Sequence, residues 1–117
     1  MKNKSTHFLF SYGTLQLKKV QIETYGRKLI GKIDTLEGFE IKQQEILNEN
    51  VITKSGKKFH PIAVPSKNKS DFIDGVIFEI TENELLETDK YEVSAYKRVQ
   101  KKFKSGNKAW VYILNKV

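Results

Sequence analysis

Residues 7 to 12, His-Phe-Leu-Phe-Ser-Tyr, place Phe8, Phe10 and Tyr12 on one side of an extended chain and His7, Leu9 and Ser11 on the other. A period of two predicts a β-strand, and Gly13 ends it. From Lys18 to Gly26 the spacing predicts a short helix that Gly26 stops. Extended segments are expected around 29 to 41 and 44 to 53, then a hairpin turn at Lys54-Ser55-Gly56-Lys57. Residues 58 to 64 and 73 to 80 read as further strands, the latter with Val76, Phe78 and Ile80 on one face. Thr81 and Glu84 have the spacing of a capping box at the head of a second helix. Two last strands, Tyr96 to Phe103 and Lys108 to Leu114, are joined through Ser105-Gly106-Asn107, and the final one is apolar on both faces, as an interior strand requires. About seven strands with one or two short helices make an α+β fold with a curved or closed sheet.

The length of 117 residues suits one packed core. No repeat or Pro/Gly-rich linker divides the chain, the longest polar interruption being Pro65 to Asp71, so residues 1–117 are expected to form a single domain. With no cysteine, disulfides, thiolate metal sites and a cysteine nucleophile are excluded. His7 and His60 stand apart without a ligand pattern, so no metal site is expected, and both read as strand-end polar residues without a catalytic role. No apolar stretch of signal-peptide length precedes the first strand and no run is long enough to span a bilayer, so a cytoplasmic protein with no membrane partner is expected.

A net charge of +7 raises nucleic acid as a partner. The distribution argues against it: residues 71 to 92 carry eight carboxylates and one lysine, residues 93 to 117 seven basic residues and no acid, and folding can pair the two. Only Arg27 and Arg98 among 21 basic residues are arginines, the side chain suited to bidentate phosphate recognition. No nucleic-acid partner is expected; a contiguous exposed lysine face over Lys97 to Lys108, lacking a pocket, would reverse that.

Two stretches carry candidate chemistry. Tyr12-Gly13-Thr14-Leu15 puts a small loop at a strand end, where glycine permits positive φ and removes a Cβ; the loop is either a plain turn or a cradle of N–H groups for an anion. In Leu85 to Arg98, Leu85 and Leu86 mark the inward side of the helix, and the series Leu85, Asp89, Glu92 carries that side to Glu92. A carboxylate desolvated there gains the raised pKa of a general acid or base; the alternative is an ion pair with Arg98 or exposure beyond a frayed helix end.

Taken together and in order, Tyr12 to Leu15, Val20-Gln21, Tyr25-Gly26-Arg27, His60 to Ser66, Asp74 to Thr81, Asp89-Lys90-Tyr91-Glu92 and Ala109 to Leu114 resemble the gamma-glutamylcyclotransferase-like superfamily over nearly the whole chain. The resemblance implies a small mixed β-barrel with short flanking helices and a pocket at its mouth. It also implies a reaction in which a gamma-glutamyl amine or amino acid becomes 5-oxoproline plus a free amine, without cofactor. Glu92 would be the acid/base residue, and Tyr12, Gly13, Thr14 and Leu15 would hold the glutamyl end of this small-molecule substrate. Tyr112 matches the aromatic that closes the family pocket, although Trp110, Tyr112 and Leu114 also form an ordinary core face. Tyr96, Arg98 and Asp89 read as supporting residues. The family pattern is commonly Leu-Asp-x-Tyr-Glu-Gly, and this chain carries Thr88 and Val93 in place of the leucine and the final glycine. A noncatalytic small-molecule-binding or regulatory domain on the same fold is the alternative.

Overall fold

In the computed structural model, which describes residues 6–45, 47, 49–92 and 96–115, the first strand, β1 (Thr6–Ser11), is buried on both faces over its second half, Leu9 to Ser11. Leu9 is 0% and Phe10 1% exposed, on opposite sides. Burying each contributes about 1.5 to 3 kcal/mol. Because neighbours in a strand point to opposite faces, these two residues belong to two separate cores. Leu9 joins Val20, Val51, Phe78, Ile80, Leu85 and Tyr112 between the sheet and the helices. Phe10 joins Leu36, Phe39, Ile77, Phe103, Val111 and Ile113 on the opposite face.

After β1 and one 3-10 turn at Thr14–Gln16 come α1 (Lys18–Tyr25), β2 (Gly31–Glu37), β3 (Phe39–Glu45), α2 (Glu49–Ser55), β4 (Phe59–Pro65), β5 (Phe72–Thr81), α3 (Glu82–Tyr91), β6 (Tyr96–Lys102) and β7 (Lys108–Leu114). The strands form one mixed sheet in the order β2-β5-β1-β7-β4-β3, with β6 also paired to β7. The two ends of that order, β2 and β3, are separated in sequence by Gly38 alone. The sheet therefore curls until its ends meet, making a mixed half-barrel with Phe10 and its neighbours inside. Gly38 turns the corner at φ 83°, its N–H bonded to Asp71 O (2.8 Å) and its carbonyl accepting from Ser66 N (2.9 Å). Such a φ costs a residue without a Cβ little.

β7 organises the rest. Its whole length from Lys108 to Leu114 pairs antiparallel with β6 on one edge. On the other edge β1 runs parallel at Leu9 opposite Trp110, and β4 takes over at Ala63 opposite Ile113. β1 and β4 thus share one edge of β7 in succession, and the sheet splits where one replaces the other.

The helices close the outer face. Gly26 ends α1 in the left-handed region, as the sequence predicts. Thr81 and Glu84 form the full capping box at the head of α3. Three expectations are corrected. Residues 49 to 53, read as extended, belong to α2, and Lys54-Ser55-Gly56-Lys57 is a helix end with Gly56 N bonded to Ile52 O (2.7 Å), not a hairpin turn. The β-branched run Val51-Ile52-Thr53 favours a strand locally. Val51 and Ser55, one helical turn apart, are the buried pair, and docking that face against the helix-side core decides the outcome. Leu86, placed on the inward side of α3, is 49% exposed; the buried side is Leu85, Thr88 and Tyr91. Among the described residues no helix is long and apolar enough to cross a membrane.

Candidate functional site

Where β1 leaves β7 and β4 arrives, backbone groups on both sides need partners, and Tyr12 supplies them. Its phenol donates to Tyr112 O and accepts from Ala63 N (2.9 Å). One side chain bridges the split from β7 to β4, and the space beside it is a cavity of about 20 Å³, room for roughly one water. Tyr12, Gly13, Thr14, Leu15, Tyr112 and Glu92 all line it.

The loop is fixed from several sides. Gly13 has φ −143°, so its role is not a positive φ. Close approach explains it: a Cβ there would lie 3.0 Å from Pro61 Cγ. Gln16 donates from Nε2 to Ser11 O (2.6 Å), and Gln21 from Nε2 to Leu15 O (2.9 Å). The carbonyls of Gly13 and Thr14 accept from Gln16 N (3.1 Å) and Leu17 N (2.9 Å). This is the polarity of a helix start, whose first N–H groups have no intrahelical acceptor. Thr14 Oγ1 and Tyr91 Oη share a hydrogen bond of 2.7 Å across 77 residues of sequence. It ties the loop to the last residue of α3, next to Glu92.

Glu92 reaches the cavity by a different route from the one periodicity suggests. α3 ends at Tyr91, and Glu92 is the cap, in extended conformation (φ −74°, ψ 134°) with its N–H bonded to Thr88 O (2.9 Å). Asp89, on the same supposed face, is exposed. Burial, and then the Asp89 charge, push the Glu92 carboxyl up to about 8 from 4.5. Desolvation disfavours the anion and a neighbouring anion disfavours it further. The alternative ion pair with Arg98 is not formed: Arg98 grips Asp89 through Nε (2.9 Å) and the second guanidinium nitrogen (3.1 Å), and lies 4.4 Å over the Trp110 ring.

Asp89 also accepts from Tyr112 Oη (2.5 Å), so Arg98 and Asp89 brace Tyr112 from outside the cavity. Tyr96 lines the cavity and donates to Pro61 O (2.8 Å). Burial raises the pKa of Tyr12, Tyr96 and Tyr112 well above the usual phenol value, and that of Tyr91 to about 12. The phenols of the walls therefore keep their protons at neutral pH.

The sequence reading set His60 aside, yet it lines the cavity, 3% exposed, with Nε2 3.0 Å from Ser55 Oγ and its ring stacked on Tyr91. Burial lowers its pKa, which favours the neutral ring. The signal was its position two residues before Ile62 in an apolar strand, where a polar side chain needs a buried partner. Thr88, in place of the family leucine, is fully buried and satisfied by Tyr25 Oη (2.5 Å) and Glu84 O (2.8 Å). Val93 lies outside the described residues.

Similar structures include a protein of Arabidopsis thaliana solved in solution (19% identity, TM-score 0.72), aligned over 97% of this chain and 65% of that one. An uncharacterized human protein aligns at 14% identity and TM-score 0.73 over 97% of this chain and 69% of that one. A structure described as gamma-glutamyl cyclotransferase aligns at 15% identity and TM-score 0.71 over 95% and 68%. At these identities the likeness is one of fold. The chain spans about two thirds of the length of these proteins. A search of curated proteins by sequence gives no match. Residues 9–117 match the family model for gamma-glutamyl cyclotransferase, AIG2-like, and with both its motifs inside that span the chain belongs to that family.

Proposed function

We propose that this chain is a gamma-glutamyl cyclotransferase that converts a gamma-glutamyl amide into 5-oxoproline and a free amine, with Glu92 as the acid/base residue. The observation that carries the reading is that the Tyr12 to Leu15 loop and Glu92 line one cavity and are tied together through Thr14 and Tyr91. In the reaction the substrate's α-amino nitrogen attacks its own γ-carbonyl carbon, a C–N bond forms, and the bond to the leaving nitrogen breaks. Glu92 takes the proton that the attacking nitrogen sheds and delivers it to the leaving nitrogen, so no water is consumed. A carboxyl whose pKa lies near 8 is matched to both transfers.

The loop supplies geometry. N–H groups at the start of the 3-10 turn favour the substrate carboxylate or the developing oxyanion, and Gly13 keeps the backbone free of a Cβ on the approach. Tyr112, held by Asp89 and Arg98, forms a neutral wall, and folding the glutamyl chain back on itself supplies the near-attack geometry. The cavity as it stands takes about one water. That small volume is also the observation favouring the alternative, a noncatalytic binding domain on the same fold. Incubating the protein with a panel of gamma-glutamyl amines and amino acids and assaying 5-oxoproline separates them. Release that disappears in Glu92→Gln supports the enzyme, whereas binding without release supports the alternative.

A further inference from the structure

A groove of about 360 Å³ lies against the cavity and shares Tyr12, Gly13, Thr14 and Pro61 with it; its other walls are Leu17, Gln43, Lys57 and Phe59. Two features of these walls bear on what the groove can hold. Phe59 is 53% and Leu17 37% exposed, an apolar pair left open at the mouth of the half-barrel. Lys57 is the one charged side chain of the groove, and among the described residues no carboxylate pairs with its ammonium, although its neighbour Lys58 holds Glu45 at 3.3 Å. The Lys57 backbone is pinned: Ser55 Oγ accepts from Lys57 N (3.2 Å) and donates to Lys57 O (3.2 Å), with His60 Nε2 on the same hydroxyl. The Lys57 charge is one of the causes that lower the His60 pKa, so the ammonium stands close to the cavity wall. The carboxyl that exchanges a proton thus sits in the inner cavity, and an unpaired cation sits beside apolar surface in the adjoining groove.

We infer that the groove receives the leaving group and that Lys57 selects a leaving group bearing a carboxylate next to an apolar side chain, so that the substrate class is gamma-glutamyl amino acids with apolar side chains and not simple gamma-glutamylamines. This rests on the cyclotransferase reading for the identity of the inner ligand. An amide whose leaving half is an amino acid carries its carboxylate one carbon from the scissile nitrogen, within reach of the wall shared by the two spaces. Leu17 and Phe59 cover its side chain, and Gln43 offers a neutral hydrogen bond. A leaving half that ends in an ammonium meets Lys57 as a like charge, which lowers its affinity.

A matched pair of compounds tests this: gamma-glutamyl-leucine, and the gamma-glutamyl amide of 3-methylbutylamine, which is the same molecule without the leaving-group carboxylate. KM and kcat are measured for both with the unaltered protein, Lys57→Ala and Lys57→Arg, and affinities by calorimetry. The expected result is a lower KM for the leucine compound. Lys57→Ala should raise that KM by roughly two- to five-fold, the range of a partly exposed ion pair, with kcat unchanged, with Lys57→Arg restoring it, and with the amine compound unaffected. Equal KM values for the two compounds, or an equal effect of Lys57→Ala on both, overturns the inference while leaving the cyclotransferase reading intact. If neither compound releases 5-oxoproline, the enzymatic reading fails on its own, and calorimetry still decides on Lys57: preferential, Lys57-dependent binding of the leucine compound upholds its role, and equal or absent binding overturns it.

Discussion

Replacing Glu92 by glutamine probes both stability and chemistry. In the folded chain the carboxyl keeps its proton up to about pH 8, against 4.5 for an ordinary glutamate. Between those values the folded state binds a proton that the unfolded state has released, so stability falls as pH rises, by up to about 1.4 kcal/mol per pH unit. The stabilisation of the protonated form is complete below pH 4.5 and is lost as pH rises through 8. Glutamine has nearly the same shape and no charge at any pH, so Glu92→Gln lacks this slope. The two proteins should be about equally stable near pH 4.5, and by pH 9 the variant should be the more stable by on the order of 4 kcal/mol. Urea unfolding of both proteins at half-unit steps from pH 5 to 9 measures the difference. Turnover moves the opposite way: loss of a positioned acid/base group should slow 5-oxoproline release by roughly 100- to 10,000-fold. Parallel stability profiles for the two proteins would show that the carboxyl is not desolvated, and undiminished turnover in the folded variant would remove Glu92 from the mechanism.

The Asp89 charge helps hold the Glu92 proton, so Asp89→Asn should move the acidic limb of the kcat/KM profile to lower pH; an unmoved limb would refute the coupling. Gly13→Ala puts a methyl 3.0 Å from Pro61 and should lower kcat/KM with little change in unfolding midpoint, which steady-state kinetics and a thermal scan check together. Tyr12→Phe strips a partner from both Tyr112 O and Ala63 N and should cost about 1 to 3 kcal/mol in chemical denaturation, the penalty of leaving buried backbone groups unsatisfied. Thr81→Ala removes the cap that receives Glu84 N (3.2 Å) and should cost about 1 kcal/mol, read in the same assay.

Local chemistry made much of this protein legible in its sequence. Alternation gives β1 and β5, a continuous apolar run gives β7, Gly26 ends α1, and the Thr81 and Glu84 pair starts α3, because each depends on residues a few positions apart. The two motifs of the cavity were also readable, through resemblance. Tertiary structure decided the rest. α2 overrode a β-branched run because Val51 and Ser55 bury one helical face. Glu92 faces the cavity because α3 stops at Tyr91 and the extended cap turns it inward, while helical periodicity also pointed to Asp89, which is exposed. His60 entered the cavity wall because β4 takes over from β1 along one edge of β7. That exchange joins segments some fifty residues apart in the chain, as the Tyr12 to Ala63 bond shows. No local pattern encodes it: the split exists only once β6 occupies the whole opposite edge of β7 and the curled sheet brings β2 and β3 together at Gly38.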